Sequence, residues 1–126
     1  MTQLTATAPV RAAGVVGLGS YRPERRVTND ELAPRIDSSD EWIRERTGIV
    51  ERRFAAADET AASMGALAAQ RALDDAGITG ADIDVVMVAT FTHRVQTPSA
   101  AVEVATAVGA VAASAFDISA ACAGFC

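Results

Sequence analysis

The composition of this 126-residue chain limits the classes of protein to which it can belong. Its 11 basic and 16 acidic residues give a net charge of −5, which argues against nucleic acid as the main partner, because phosphate binding favours a basic face. Residues 1–14 lack the pattern of a secretory signal, and the longest uncharged run, between Glu103 and Asp117, is too short for a membrane span. We therefore expect a cytoplasmic protein.

The chain begins with a predicted flexible leader over residues 1–10, and a single domain is expected over residues 11–126. Residues 12–21 form an apolar run with glycines, which is typical of a buried strand. Two short helices are expected next, because Thr28 with Glu31, and then Ser38 with Glu41, have the spacing of capping boxes.

Strands and helices alternate in the rest of the chain. Thr60 or Asp58 is expected to cap a long helix that ends at Gly77, and Thr97 to cap another that begins at Pro98 and ends at Gly109. Strands are predicted over 49–54, 83–90 and 111–119, and a last helix over 120–126. Because the later strands are continuously apolar, the pattern predicts an α/β fold whose parallel sheet is covered on both faces.

Cys122 lies among small residues, where the last strand passes into the last predicted helix. A helix start can activate a thiol, and small neighbours leave room for a carbonyl and for backbone N–H groups that face an oxyanion. The alternative is that Cys122 is a small buried apolar residue, as most free cysteines are. Cys126 is expected to be part of the core, and both cysteines to be thiols rather than a disulfide.

The residues that could assist Cys122 are few. His93 is the only histidine, and it lies in a loop on the end of the sheet where Cys122 is expected. We expect this histidine to face solvent rather than to reach the thiol. With one histidine and two cysteines, the sequence predicts no metal site.

Three motifs resemble the β-ketoacyl-[acyl-carrier-protein] synthase III family of the thiolase superfamily. They are SSDEWIRERTGIVERR (38–53), ETAASMGALAAQRAL (59–73) and FDISAACAGF (116–125). The resemblance implies a thiolase-like fold, with this chain as the N-terminal half of a five-layer α-β-α-β-α sandwich that is cut just after the nucleophile. It also implies a homodimer.

The same resemblance implies a reaction and a set of site residues. Family members transfer an acyl group from acyl-CoA to the cysteine that Cys122 matches, and condense it with malonyl-acyl carrier protein to start fatty-acid synthesis. No cofactor is implied, since acyl-CoA is a substrate. Trp42 matches a residue that stacks on the adenine of coenzyme A, Ser38 one that approaches the adenine, and Arg46 one near the nucleotide phosphates. The alternative for Arg46 is a solvated ion pair with Glu41 or Glu45.

Thr97 matches a position that is phenylalanine in family members that prefer acetyl primers, where the ring reaches into the acyl pocket of the neighbouring subunit. A threonine there implies a medium- or long-chain primer, although Thr97 can also be only a helix cap. The family's catalytic histidine and asparagine match no residue of this chain. Two alternatives therefore remain: an inactive truncated fragment with only a binding role, and a related acyltransferase that loads starter units for polyketide synthesis.

Overall fold

The computed structural model describes residues 13–125, so the predicted leader and Cys126 lie outside the described residues. Strands and helices alternate, which confirms the α/β class. None of the helices in residues 13–125 is long and apolar enough to cross a membrane. In chain order the elements are β1 (Arg25–Thr28), α1 (Asn29–Ile36), α2 (Asp40–Thr47), β2 (Glu51–Phe54), α3 (Ala61–Ala76), a 3-10 turn (Gly80–Asp82), β3 (Val85–Ala89), α4 (Ala100–Ala107), β4 (Ser114–Ile118) and a second 3-10 turn (Ala121–Phe125).

The first four elements, residues 25–54, form what we call the polar region. β1 and β2 pair antiparallel, with Arg25 opposite Phe54 and Thr28 opposite Glu51. The prediction of β2 is confirmed, whereas β1 was not predicted. Its sequence RRVT contains one apolar residue, so no alternation of apolar and polar positions marks it as a strand.

Asn29 holds the polar region together. Its side chain is fully buried, and its Nδ2 donates hydrogen bonds to Asp40 Oδ1 (2.8 Å) and to the Ile49 carbonyl (2.7 Å). Its Oδ1 accepts one from Arg52 Nη2 (2.9 Å). Arg44 Nε in turn donates to both carboxylate oxygens of Asp40. These bonds, which we call the Asn29 network, join α1, α2 and β2 through one satisfied polar group.

Residues 61–125 form what we call the apolar region. β3 and β4 pair in parallel, with Val85 opposite Ser114 and Ala89 opposite Ile118. One face of this two-stranded sheet packs on the helices, where Ala62 of α3 and Ala100 and Val104 of α4 form a buried cluster. The small side chains let the two helices approach closely.

The other face of the β3–β4 sheet is exposed. Val85, Met87 and Phe116 are each about half accessible, while the alternating Val86 and Val88 pack against the helix cluster. The prediction of strands buried on both faces is therefore wrong within residues 13–125. Although the sequence of β3 is continuously apolar, only one face of the strand is covered by helices.

The apolar run that begins the domain forms no strand over residues 13–21, so that prediction is also wrong. Residues 13–21 lie alongside α3 in an irregular conformation, and Val15, Val16 and Leu18 are exposed. A Cβ atom at Gly19 would lie 2.0 Å from the carbonyl oxygen of Ala68 and 2.4 Å from the Ala72 nitrogen. The glycine permits close contact with a helix backbone here, rather than a place in a strand ladder.

The predicted helix caps are correct for α3 and wrong for α2 and α4. Thr60 caps α3 through a reciprocal pair with Ser63, and Gly77 ends it with a φ of 67°, as predicted. The cap of α2 is Ser39 instead of Ser38, and the cap of α4 is Ser99 instead of Thr97. In each case hydroxyl residues lie one or two positions apart, and spacing alone does not select between them.

Candidate functional site

Cys122 is exposed on the 3-10 turn Ala121–Phe125, which we call the cysteine turn. The predicted α-helix is therefore, in the described residues, a five-residue turn in which the Ala123 N–H donates to the Ala120 carbonyl (3.0 Å). Ala121 has a φ of 45°, in the left-handed region that side chains other than glycine rarely adopt. Within residues 13–125 the thiol is exposed, and both interpretations of Cys122, as a nucleophile and as a small apolar residue, stay predictions.

The cysteine turn rests on the end of β3. A Cβ atom at Gly124 would lie 3.0 Å from the Cβ of Ala89, which is the last residue of that strand. The turn follows β4, whose last residue Ile118 is opposite Ala89. Cys122 thus lies at the carboxyl ends of two parallel strands, where ligands of α/β proteins collect.

Asp117 connects the strand that carries the cysteine turn to α4. Its Oδ2 accepts a hydrogen bond from the Ala100 N–H (2.9 Å), and its Oδ1 accepts one from the Ala101 N–H (2.8 Å). Ala100 and Ala101 are fully buried, so without Asp117 these N–H groups would be unpaired. A carboxylate at this end of a helix also complements the helix dipole. The start of α4 is thereby fixed relative to β4.

Ser38 and Trp42, which share a predicted role, line the same cavity. The cavity has a volume of about 470 Å³ and is also lined by Ile36, Asp37 and Ser39. Trp42 is 52% exposed. Because Ser39 is the helix cap, the Ser38 hydroxyl is free of that role, and it is buried without a hydrogen-bond partner in the described residues. An unpaired hydroxyl beside an open indole suits a planar polar ligand.

Arg46 contacts Trp42 rather than an acidic residue. Its guanidinium carbon lies 5.3 Å from the centre of the indole ring, and among residues 13–125 no ion pair with Glu41 or Glu45 is formed. Stacking on an aromatic ring leaves the N–H groups of a guanidinium at its edge available to an anion.

Thr97 and His93 lie in the loop between β3 and α4. Thr97 is exposed and does not cap α4, so the cap alone does not explain it. The prediction that His93 faces solvent is wrong, because its side chain is 12% exposed. Its Nε2 lies 3.3 Å from the Pro98 carbonyl oxygen and 3.9 Å from Glu103 Oε1. Cys122 is not among the polar contacts that residues 13–125 provide to this histidine.

The predicted site residues therefore form two groups in the structure. Ser38, Trp42 and Arg46 meet at one cavity, while Cys122 and Thr97 follow the carboxyl ends of β4 and β3. Sequence analysis missed Asn29 and Asp117. Asp117 interrupts an apolar strand, and this interruption was the one available signal that its carboxylate has a buried partner.

Comparison with known proteins confirms the resemblance seen in the motifs, although no family model matches the chain. The mycobacterial β-ketoacyl-[acyl-carrier-protein] synthase III of Mycobacterium tuberculosis is 57% identical over 125 residues, and the β-ketoacyl-[acyl-carrier-protein] synthase III of Mycobacteroides abscessus is 54% identical over the same length. Each match covers 99% of this chain and 37% of the relative, so the chain spans a little over a third of the length of these proteins.

Solved structures show that the fold is shared as well. The priming β-ketosynthase of the R1128 polyketide pathway superposes with a TM-score of 0.85 at 54% identity, over 89% of this chain and 34% of that one. The 3-oxoacyl-[acyl-carrier-protein] synthase III of Aquifex aeolicus gives 0.82 at 44% identity, over 87% of this chain and 35% of that one. The predicted thiolase-like α/β fold is confirmed over this part of the molecule.

Proposed function

We propose that this chain is part of a β-ketoacyl-[acyl-carrier-protein] synthase III that condenses an acyl-CoA primer with malonyl-acyl carrier protein. The observation that carries the proposal is the exposed Cys122 on a strained turn at the carboxyl ends of β3 and β4. It is supported by the identity of 57% to a synthase III along 99% of the chain.

The proposed reaction has two steps, with Cys122 as the group that carries the acyl chain. In the first step the thiolate attacks the carbonyl carbon of acyl-CoA; a new carbon–sulfur bond forms, and the bond to the coenzyme A sulfur breaks, releasing coenzyme A as a thiol once it gains a proton. In the second, malonyl-acyl carrier protein loses carbon dioxide, and the carbanion that results attacks the acyl carbonyl. The product is 3-oxoacyl-acyl carrier protein, and Cys122 is regenerated.

The cavity beside Trp42 is the proposed site for the nucleotide of coenzyme A. The half-exposed indole offers a face to the adenine, and Ser38, whose hydroxyl is buried and unpaired within residues 13–125, lines the same cavity. Arg46, stacked on the indole and free of ion pairs in the described residues, offers charge to the phosphates. Binding of the nucleotide in this cavity would serve to position the acyl group.

The remaining parts of the proposal concern the primer and the assembly. A medium- or long-chain primer is proposed because Thr97 is exposed and is not used as a helix cap, so its small side chain is available to the acyl pocket. The homodimer and the cytoplasmic location are proposed from the family resemblance and the composition. The catalytic histidine and asparagine are expected outside this chain.

A second candidate function is the loading of starter units in polyketide synthesis. The similarity to the priming β-ketosynthase of the R1128 pathway, at 54% identity and a TM-score of 0.85, favours it as a specific alternative. The two functions share acylation of Cys122 and differ in the carrier protein that accepts the acyl group. Assays with a fatty-acid carrier protein and with a polyketide carrier protein separate them.

The test of the proposed function is acylation of the complete protein followed by peptide mass spectrometry. Incubation with octanoyl-CoA should place one octanoyl group on the peptide that contains Cys122, and Cys122→Ala should abolish it. Cys126→Ala is the matched control and should keep the adduct. An adduct that persists in Cys122→Ala, or the absence of any adduct in the wild type, contradicts the proposal.

A further inference from the structure

We propose that His93 is a positioning residue that sets the preference for acyl chain length by holding the loop that carries Thr97. The inference deepens the proposed function and rests on it, because it concerns the acyl pocket of the same site. Its basis is a hydrogen bond that closes the loop around Thr97. His93 Nε2 lies 3.3 Å from the Pro98 carbonyl oxygen, so the bond spans the segment that contains Thr97.

His93 is placed to act as a fixed support. Its side chain is 12% exposed, although it lies in a loop. Glu103 on α4 contributes a carboxylate 3.9 Å from the same nitrogen, which favours the tautomer that carries hydrogen on Nε2. Only that tautomer, or the imidazolium, donates to the Pro98 carbonyl.

The far side of the loop is fixed independently. Ser99 caps α4, and the N–H groups of Ala100 and Ala101 are held by Asp117 of β4. Thr97 itself forms no side-chain hydrogen bond within residues 13–125, and it is exposed. Its position therefore depends on the backbone at Pro98, which His93 holds from one side and the start of α4 from the other.

A cavity borders this support. It has a volume of about 390 Å³, and its lining includes His93, Glu103, Glu59, Thr92 and Arg94. The space gives the loop room to move toward α3 once the bond to Pro98 is lost. A displaced Thr97 would change the depth of the acyl pocket it lines, and the effect should fall on the choice of primer rather than on the chemistry at Cys122.

The test compares three substitutions of His93 in the complete protein. His93→Gln places an amide nitrogen near the position of Nε2 and keeps a donor to Pro98. His93→Asn is one methylene shorter and does not reach it. His93→Phe keeps a ring of similar size and has no donor, so it serves as a second variant if His93→Asn fails to fold. Gln96→Ala, at an exposed residue of the same loop that does not line this cavity, is the control.

The measured quantity is the ratio of kcat/KM for dodecanoyl-CoA to kcat/KM for acetyl-CoA. We expect His93→Asn and His93→Phe to change this ratio at least about fivefold, and His93→Gln and Gln96→Ala to keep it within about twofold. In the background of Thr97→Phe the effect of His93→Asn should shrink, because residues that act through one another are not additive.

Two failures are distinguishable. If the wild type acylates Cys122 and the ratio is the same in all variants, the role of His93 is wrong and the proposed function stands. If the wild type forms no adduct with any acyl-CoA, both proposals are wrong. Equal changes in His93→Gln and His93→Asn also contradict the inference, since the donor to Pro98 would then not matter.

Discussion

The polar region and the apolar region are held together by different kinds of contact. In the polar region one fully buried side chain, Asn29, bonds to groups on three other segments through the Asn29 network. In the apolar region the contacts are between alanines, valines and glycines, with helices close enough that single methyl groups fill the space. The polar region depends on a few hydrogen-bond donors and acceptors. The apolar region depends on side chains small enough for close packing.

This difference matches the proposed roles of the two regions. Recognition of a nucleotide needs polar groups in set directions, and the Asn29 network fixes α2, which carries Trp42 and Arg46. A nucleophile that must be approached by a thioester needs space, and the cysteine turn has small residues on both sides of Cys122. The three predictions that follow test whether the two regions respond to different substitutions.

The largest effect is expected in the polar region, from Asn29→Ala. The substitution removes three hydrogen bonds and leaves Asp40, the Ile49 carbonyl and Arg52 with fewer partners. We expect the free energy of unfolding to fall by about 3 kcal/mol, since each lost hydrogen bond contributes about 0.5–1.5 kcal/mol. Urea denaturation measures it. Gln70→Ala removes an exposed hydrogen bond in the apolar region and should cost less than about 0.5 kcal/mol; equal losses would contradict the comparison.

A smaller effect is expected from Gly19→Ala, where one methyl group is added against the backbone of α3. The new Cβ would overlap the Ala68 carbonyl oxygen at 2.0 Å, so the backbone of the segment or of α3 must shift. We expect the free energy of unfolding to fall by about 2 kcal/mol. The loss is no larger because the segment can move away from α3 and relieve the overlap. The matched control is Gly14→Ala, in the same segment with nothing within 4 Å of its new Cβ. A stable Gly19→Ala protein would refute the close contact.

The smallest effect is expected at low pH and concerns Asp40. The hydrogen bond from Arg44, and next that from Asn29, lowers the pKa of this carboxyl below its ordinary value of 3.8. A lowered pKa in the folded state stabilises the protein above the ordinary value, and this stabilisation is lost as the pH falls through the folded value. Asp40→Asn should therefore flatten the fall in thermal stability below about pH 4.

Asp30→Asn, at an exposed residue of α1, is the control for this prediction and should keep the slope of the wild type. Part of the slope should remain in Asp40→Asn. The pKa of Glu59 is lowered by its bond from Tyr21, and that of Asp82 by bonds from Thr79. An unchanged slope in Asp40→Asn would mean that the carboxylate contributes nothing to the polar region.

Features that depend on neighbouring residues were predicted correctly more often than features that depend on distant partners. The two ends of α3 were correct, because a threonine cap and a terminal glycine act within one turn of the helix. The strand over 12–21 was wrong, because an apolar run shows that residues avoid water but not which partner they meet. In the polar region Asn29 was missed altogether, since its partners lie 11 to 23 residues away.

The candidate site was predictable in part for the same reason. Cys122, Trp42 and Ser38 were found through motifs, and the structure adds that Ser38 and Trp42 share a cavity. The burial of His93 could not be predicted, because it depends on Pro98 and Glu103, which are brought to it by the start of α4. Asp117 was visible as a charge within a strand, but its partners on α4 required the fold.

The adjacent hydroxyls at the start of α2 have a consequence for how this protein tolerates mutation. Ser39 caps the helix, and Ser38, with the spacing of a cap to Glu41, stands one residue earlier. If Ser39 is substituted, the helix can begin one residue earlier with Ser38 as its cap, so the stability of the helix can be retained. The proposed binding role of Ser38 has no such substitute, because its hydroxyl would then bond to the helix backbone. The proposed role of Ser38 therefore predicts that substitutions of Ser39 lower the affinity for the ligand in proteins that still fold.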